Sequence, residues 1–137
     1  MADVTSLQSA LTLEHAAVYG YGIVGGRLGP ADALARDSYD VHRQRRDVLT
    51  AALVDTGATP TPAAAAYEPE RPVLTDVQAR SLATEIERQS AVAYAALVAS
   101  GDGDWRRTGA GWLRDSAVRG YRWSSRVAPL PGLGPQQ

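Results

Sequence analysis

Between residues 58 and 74 the chain places four prolines, Pro60, Pro62, Pro69 and Pro72. No helix can pass through that stretch, because each proline removes a backbone donor and clashes with the preceding turn. On either side lies a helical pattern broken once, by a tight glycine signal. This division constrains the fold more than any other feature of the sequence. It predicts two helical hairpins joined by a long connection.

The first hairpin opens at Thr5-Ser6-Leu7-Gln8, a capping-box pattern. Leu7, Leu11, Glu14, Val18, Tyr21, Val24 and Leu28 then recur at helical spacing. Gly29-Pro30 ends that helix and starts the next, with Pro30 at its first position. Leu34, Val41, His42, Arg45, Leu49 and Leu53 form the stripe of the second helix, and Gly57 stops it. Thr75-Asp76-Val77-Gln78 is a second capping box, opening a third helix that runs to about Ser100. Gly101-Asp102-Gly103 separates it from a fourth, predicted from Asp104 to Val127. The expected domain covers residues 1–128, with 129–137 a loose tail.

Connector lengths predict the topology. The two glycine breaks are short enough only for antiparallel neighbours. Seventeen extended residues span roughly 55 Å, and a helix of about 25 residues is roughly 37 Å long. The middle segment can therefore travel the length of the bundle as a crossover. An up-down-up-down bundle with a slack loop is the alternative.

Gly20-Tyr21-Gly22-Ile23-Val24-Gly25 spells the dinucleotide-binding fingerprint G-x-G-x-x-G. That loop needs a strand before it and a helix opening at it. Here a helical pattern already runs through the stretch. Four helical glycines, including Gly26, each cost about 1 kcal/mol relative to alanine. Close packing beside Tyr19 and Tyr21 is the expected compensation, and room for a ligand the alternative.

The two hairpins read as copies. "LEHAAVYGYGIV" (13–24) lies over "IERQSAVAYAALV" (86–98), which matches Glu14 with Glu87 and Tyr21 with Tyr94. "VHRQR" (41–45) lies over "VRGYR" (118–122), which matches His42 with Arg119 and Arg45 with Arg122. Counting from the turns at 1.5 Å per residue puts Glu14, His42, Glu87 and Arg119 in one slab midway along the bundle. Glu14 and His42 lie on apolar stripes, where a solvated charge is out of place.

"LEHAAVYGYGIVG", "HRQRRDVL" and "PVLTDVQARSLATEIE" resemble the ferritin-like superfamily. More closely they resemble an actinobacterial ferritin-like domain family of unknown function, over roughly residues 5–127. The resemblance implies an all-α, ferritin-like four-helix bundle. It also implies a cage with one Glu on helices 1 and 3 and Glu-x-x-His on helices 2 and 4. Glu14 and Glu87 match the lone glutamates. On helix 2 the pair has become Tyr39-x-x-His42, and on helix 4 Ser116-x-x-Arg119. A guanidinium has no lone pair to give a metal, but it supplies charge and a fork for carboxylate. The expected site is thus a polar network of Glu14, His42, Arg45, Glu87 and Arg119, with Arg119 standing where a cation stood. If the register of helix 3 slips by two, Glu85 replaces Glu87. A surviving mononuclear metal site on Glu14, His42 and Glu87 is the alternative.

Composition narrows the function classes. The formal net charge is −1, so neither nucleic acid nor a membrane surface is an expected partner. There is no cysteine, which excludes disulfides and thiolate metal sites. All 14 basic residues are arginine. With two histidines, no nucleophile–base pair can be argued. We expect a cytoplasmic, non-catalytic domain with no cofactor and no resident metal. Ferritin-like bundles often pair, so a homodimer is expected, and the small-molecule ligand is unidentified. A metal-binding redox or storage protein with a reduced site is the competing class.

Overall fold

The computed structural model describes residues 3–65, 67–69 and 71–125. Four helices follow one another: α1 (Val4–Leu28), α2 (Ala33–Asp55), α3 (Asp76–Ser100) and α4 (Gly103–Ser124). The described residues contain no strand. The whole G-x-G-x-x-G stretch lies inside α1.

Two helix starts differ from expectation. Helix α1 is capped by Asp3, whose carboxylate accepts from the Thr5 amide at 3.3 Å. Gln8 does not close a capping box because a distant partner takes it. Its Nε2 donates to the Thr59 carbonyl (2.8 Å), and its Oε1 accepts from the Thr61 amide (2.8 Å) and hydroxyl (2.7 Å). Helix α2 begins after Pro30, at Ala33, because Asp32 caps it through the Ala35 amide at 2.9 Å. The second capping box forms as read: Thr75 accepts from the Gln78 amide, and Gln78 from the Thr75 amide. Gly29 and Gly57 end the first two helices with φ of +92° and +82°, a region that disfavours any side chain. The expected end of α4 at Val127 and the tail 129–137 lie outside the described residues.

Packing is antiparallel between neighbours. Leu7 and Leu11 of α1 share a cluster with Leu49 and Leu53 of α2 and with Tyr94 and Leu97 of α3. At the other end Ala17, Tyr21 and Val24 meet Ala35, Ala79, Ala83, Ile86 and Trp123. The start of α1 therefore lies beside the ends of α2 and α3. An up-down-up-down bundle would set α1 and α3 parallel, so that alternative is excluded. The connection from α2 runs along α1, from Gln8 through His15 and Tyr19 to an Arg27–Asp76 ion pair at 3.0 Å.

Two apolar cores thus occupy the ends of the bundle, and the buried polar residues fill the slab between them. Of the four glycines in α1, only Gly20 serves close approach. A Cβ there would stand 2.7 Å from Cδ1 of Ile86 on α3. Gly22, Gly25 and Gly26 have nothing within 4 Å, so close packing does not explain them. Among the described residues no helix is long and apolar enough to cross a membrane.

Candidate functional site

Each helix sends a charged side chain into the middle slab. His42 on α2 sits between two carboxylates. Its Nδ1–H donates to Glu14 Oε2 on α1 at 2.6 Å, and its Nε2–H to Glu87 Oε1 on α3 at 2.8 Å. All three side chains are almost fully shielded from solvent. Burial disfavours the charged imidazole, but hydrogen bonds and charge from Glu14 and Glu87 outweigh it. The His42 pKa is raised to about 9, so the ring is an imidazolium at neutral pH. Tyr21 stacks on that ring with centroids 5.3 Å apart.

The guanidinium groups lie around this core. Arg45 on α2 donates to the Tyr94 hydroxyl (3.2 Å), Ser116 Oγ (3.4 Å) and Asp115 Oδ2 (2.5 Å). It also lies over the rings of Tyr94 and Trp112. The Tyr94 hydroxyl in turn donates to Glu14. Arg119 on α4 donates to Asp37 Oδ2 (2.7 Å), Ser38 Oγ (3.1 Å) and Asp115 Oδ1 (3.2 Å). Three cationic side chains, His42, Arg45 and Arg119, thus meet four carboxylates, Glu14, Glu87, Asp37 and Asp115.

All five expected network residues converge, but their roles differ from expectation. Arg119 approaches Glu87 only to 3.8 Å and makes its hydrogen bonds to Asp37, Ser38 and Asp115. The cation between the two glutamates is His42. Glu87, not Glu85, faces inward; Glu85 pairs outside with Arg88 at 2.6 Å. His15 is half-buried and bonds the Thr61 carbonyl of the connection at 2.9 Å. Trp123 is buried in the cluster around Tyr21, while Trp105 and Trp112 pack, partly buried, against the other cluster, around Leu7 and Leu97.

Chemically the slab is closed upon itself. Both imidazole nitrogens are engaged by carboxylates, and a protonated ring has no lone pair for a metal. Among the described residues no group of three or more His, Asp or Glu side chains is arranged to hold a metal ion. The Tyr21 phenol is pushed well up by burial and then by the charge of Glu87, so it stays neutral. Its hydroxyl and the Trp123 indole nitrogen are buried without a partner of hydrogen-bond geometry, although Ser38 and Trp123 lie near enough to act on that phenol.

A family model described as a domain of unknown function (DUF4439) matches residues 6–135. The chain belongs to the DUF4439 family. A crystal structure of a conserved hypothetical protein from Mycobacterium tuberculosis is similar to it, at 36% identity and a TM-score of 0.84. The match covers 88% of this chain and 93% of that one. No functionally curated protein matches the chain.

Sequence reasoning missed the aspartates of this DUF4439 domain. Asp115 serves Arg45 and Arg119 together, and its carboxyl is held below the usual range by both guanidinium groups despite partial burial. Its signal was an acid four residues before Arg119, one helical turn away. We expect Asp115→Ala to cost about 2 kcal/mol, between the surface and buried limits for ion pairs. Asp37→Ala should cost less, because Asp37 is 60% exposed. Urea unfolding of the two variants checks the order.

Proposed function

We propose that residues 1–128 form a ferritin-like domain whose metal cage has become an internal ion-pair network, and that the domain binds rather than catalyses. One observation carries this reading. The His42 imidazolium occupies the space between Glu14 and Glu87 and satisfies both, where a cage would place a metal ion. The long connection along α1 supports the ferritin-like part, since that arrangement joins two hairpins by one crossover. The residues present do not fit a di-iron centre. Ser116 and Arg119 replace a Glu-x-x-His pair, and Tyr39 stands at the remaining carboxylate position. A binding role, to a second copy, another protein or a small molecule, fits a site with no free nucleophile and no accessible general base.

Metal analysis of protein purified without chelator tests the reading. The expected result is no stoichiometric iron, manganese or zinc. A stoichiometric transition metal lost on Glu14→Ala or Glu87→Ala would establish the competing class, a mononuclear site on Glu14, His42 and Glu87. The same assay on Ser116→Glu/Arg119→His tests the ferritin-like register. That folded variant should take up iron or zinc, and failure to do so counts against a former cage.

A further inference from the structure

A second region of the molecule holds unspent chemistry. Where α1, α2 and the connection meet, a cleft of about 440 Å³ opens to solvent. That is within the usual size of a small-molecule site, roughly 300–1,000 Å³. Its chemistry comes from His15, Tyr19 and Gly22 on α1, Tyr39 and Arg46 on α2, and Tyr67 on the connection.

The described lining carries positive formal charge and no negative charge. It has a guanidinium, an imidazole and three phenols, and no carboxylate. Among the described residues the Arg46 guanidinium meets the carboxylate of its chain neighbour Asp47, at 2.9 Å, whose side chain is largely exposed. The Tyr67 hydroxyl accepts from the Ala64 amide at 2.9 Å, so its own hydrogen remains to be donated. Tyr19 and Tyr67 stand edge to face, 5.5 Å apart. Such rings give a flat apolar ligand its contact area, and a guanidinium gives a carboxylate a planar fork.

Gly22 completes the shape. No atom lies within 4 Å of where its Cβ would stand. A glycine there weakens α1 and gains no packing in return. It leaves a gap in the side-chain layer of α1 at the cleft. The adjoining cleft, about 530 Å³, also touches Tyr19 and Tyr67 but carries Glu68 and Glu85 beside Arg71. Of these two clefts, the first alone has no carboxylate among its described lining residues.

We propose that this cleft binds a small aromatic carboxylate, its anion on Arg46 and its ring against the tyrosines. The inference goes beyond the interior network and stands whether or not that network ever holds a metal.

The test uses naphthoate as the probe and naphthalenemethanol as its uncharged analogue, each titrated into the full chain by calorimetry. Naphthoate should bind saturably with one site per chain, about tenfold or more tighter than the alcohol, the effect of a charge-assisted hydrogen bond. Arg46→Gln should remove that preference and leave alcohol binding unchanged. Gly22→Leu should abolish binding of both probes with no fall in melting temperature, since the site is open and leucine favours helix. Equal affinity for acid and alcohol in the wild type overturns the proposal. So does naphthoate affinity that survives Gly22→Leu in folded protein, or binding that never saturates.

Discussion

His42→Ala lowers the stability of this domain by about 3–5 kcal/mol, the cost of stripping one partner from a buried ion pair. For a chain of this length that is a fall of roughly 10–20 °C in melting temperature. The reason is what remains behind. Glu14 and Glu87 are almost fully buried, and the ring that separates them carries the only charge within hydrogen-bond distance of both among the described residues. Without it, Glu14 keeps the Tyr94 hydroxyl and Glu87 keeps Arg119 at 3.8 Å. Neither replaces a shared imidazolium. The loss of the ring also opens a void beneath Tyr21. Calorimetric melting checks the magnitude against Glu85→Ala, whose side chain is partly solvated and whose partner Arg88 is half-exposed. Adding Glu14→Gln and Glu87→Gln to the His42→Ala background should recover part of the loss, because a buried amide costs less than a buried carboxylate. A His42→Ala loss no larger than that of Glu85→Ala would remove the buried network from the account.

Periodicity carried much of this architecture. Glu14 and His42 were visible as charges on apolar stripes, and counting from the glycine turns placed them at one height. The four prolines at 60–72 forced a non-helical connection, and its length allowed a crossover along the bundle; that it follows α1, as Gln8, His15 and Tyr19 mark, was not legible. Periodicity gives the height and face of a residue but not the direction of a long side chain. Arg119 shares the slab with Glu87, yet it reaches across to α2 and binds Asp37 and Ser38. Which acid captures a guanidinium depends on helix separations of a few ångströms, and no single helix encodes them. The capping box at Thr5 failed for a related reason. Gln8 has a partner 51 residues away, and local pattern reading weighs only near neighbours. Room for a ligand beside the α1 glycines was an open alternative, but the lining of the cleft at Gly22 was out of reach, because one of its walls is the connection.

The proton on His42 makes the fold sensitive to alkali. In the unfolded chain a histidine titrates near 6.5, and in the folded protein His42 holds its proton to about 9. A raised pKa contributes stability that is fully present below pH 6.5 and is lost as pH climbs through 9. Across that window the folded state binds more protons than the unfolded state, so stability falls with rising pH by about 1.4 kcal/mol per unit. The total is roughly 3 kcal/mol, comparable to the expected loss in His42→Ala. Urea midpoints from pH 6 to 9.5 should therefore slope downward in the wild type. His42→Gln, which has no proton to lose there, should be less stable at pH 6 and much flatter. Above that range a second loss begins. Burial, then the charge of Glu14, raises the Tyr94 phenol well above its usual value, and Tyr21 is raised by burial and Glu87. Both ionise in the unfolded chain first, so strong alkali drains stability further. A wild-type profile as flat as that of His42→Gln would mean that His42 is neutral in the fold. The two carboxylates would then need a cation from elsewhere.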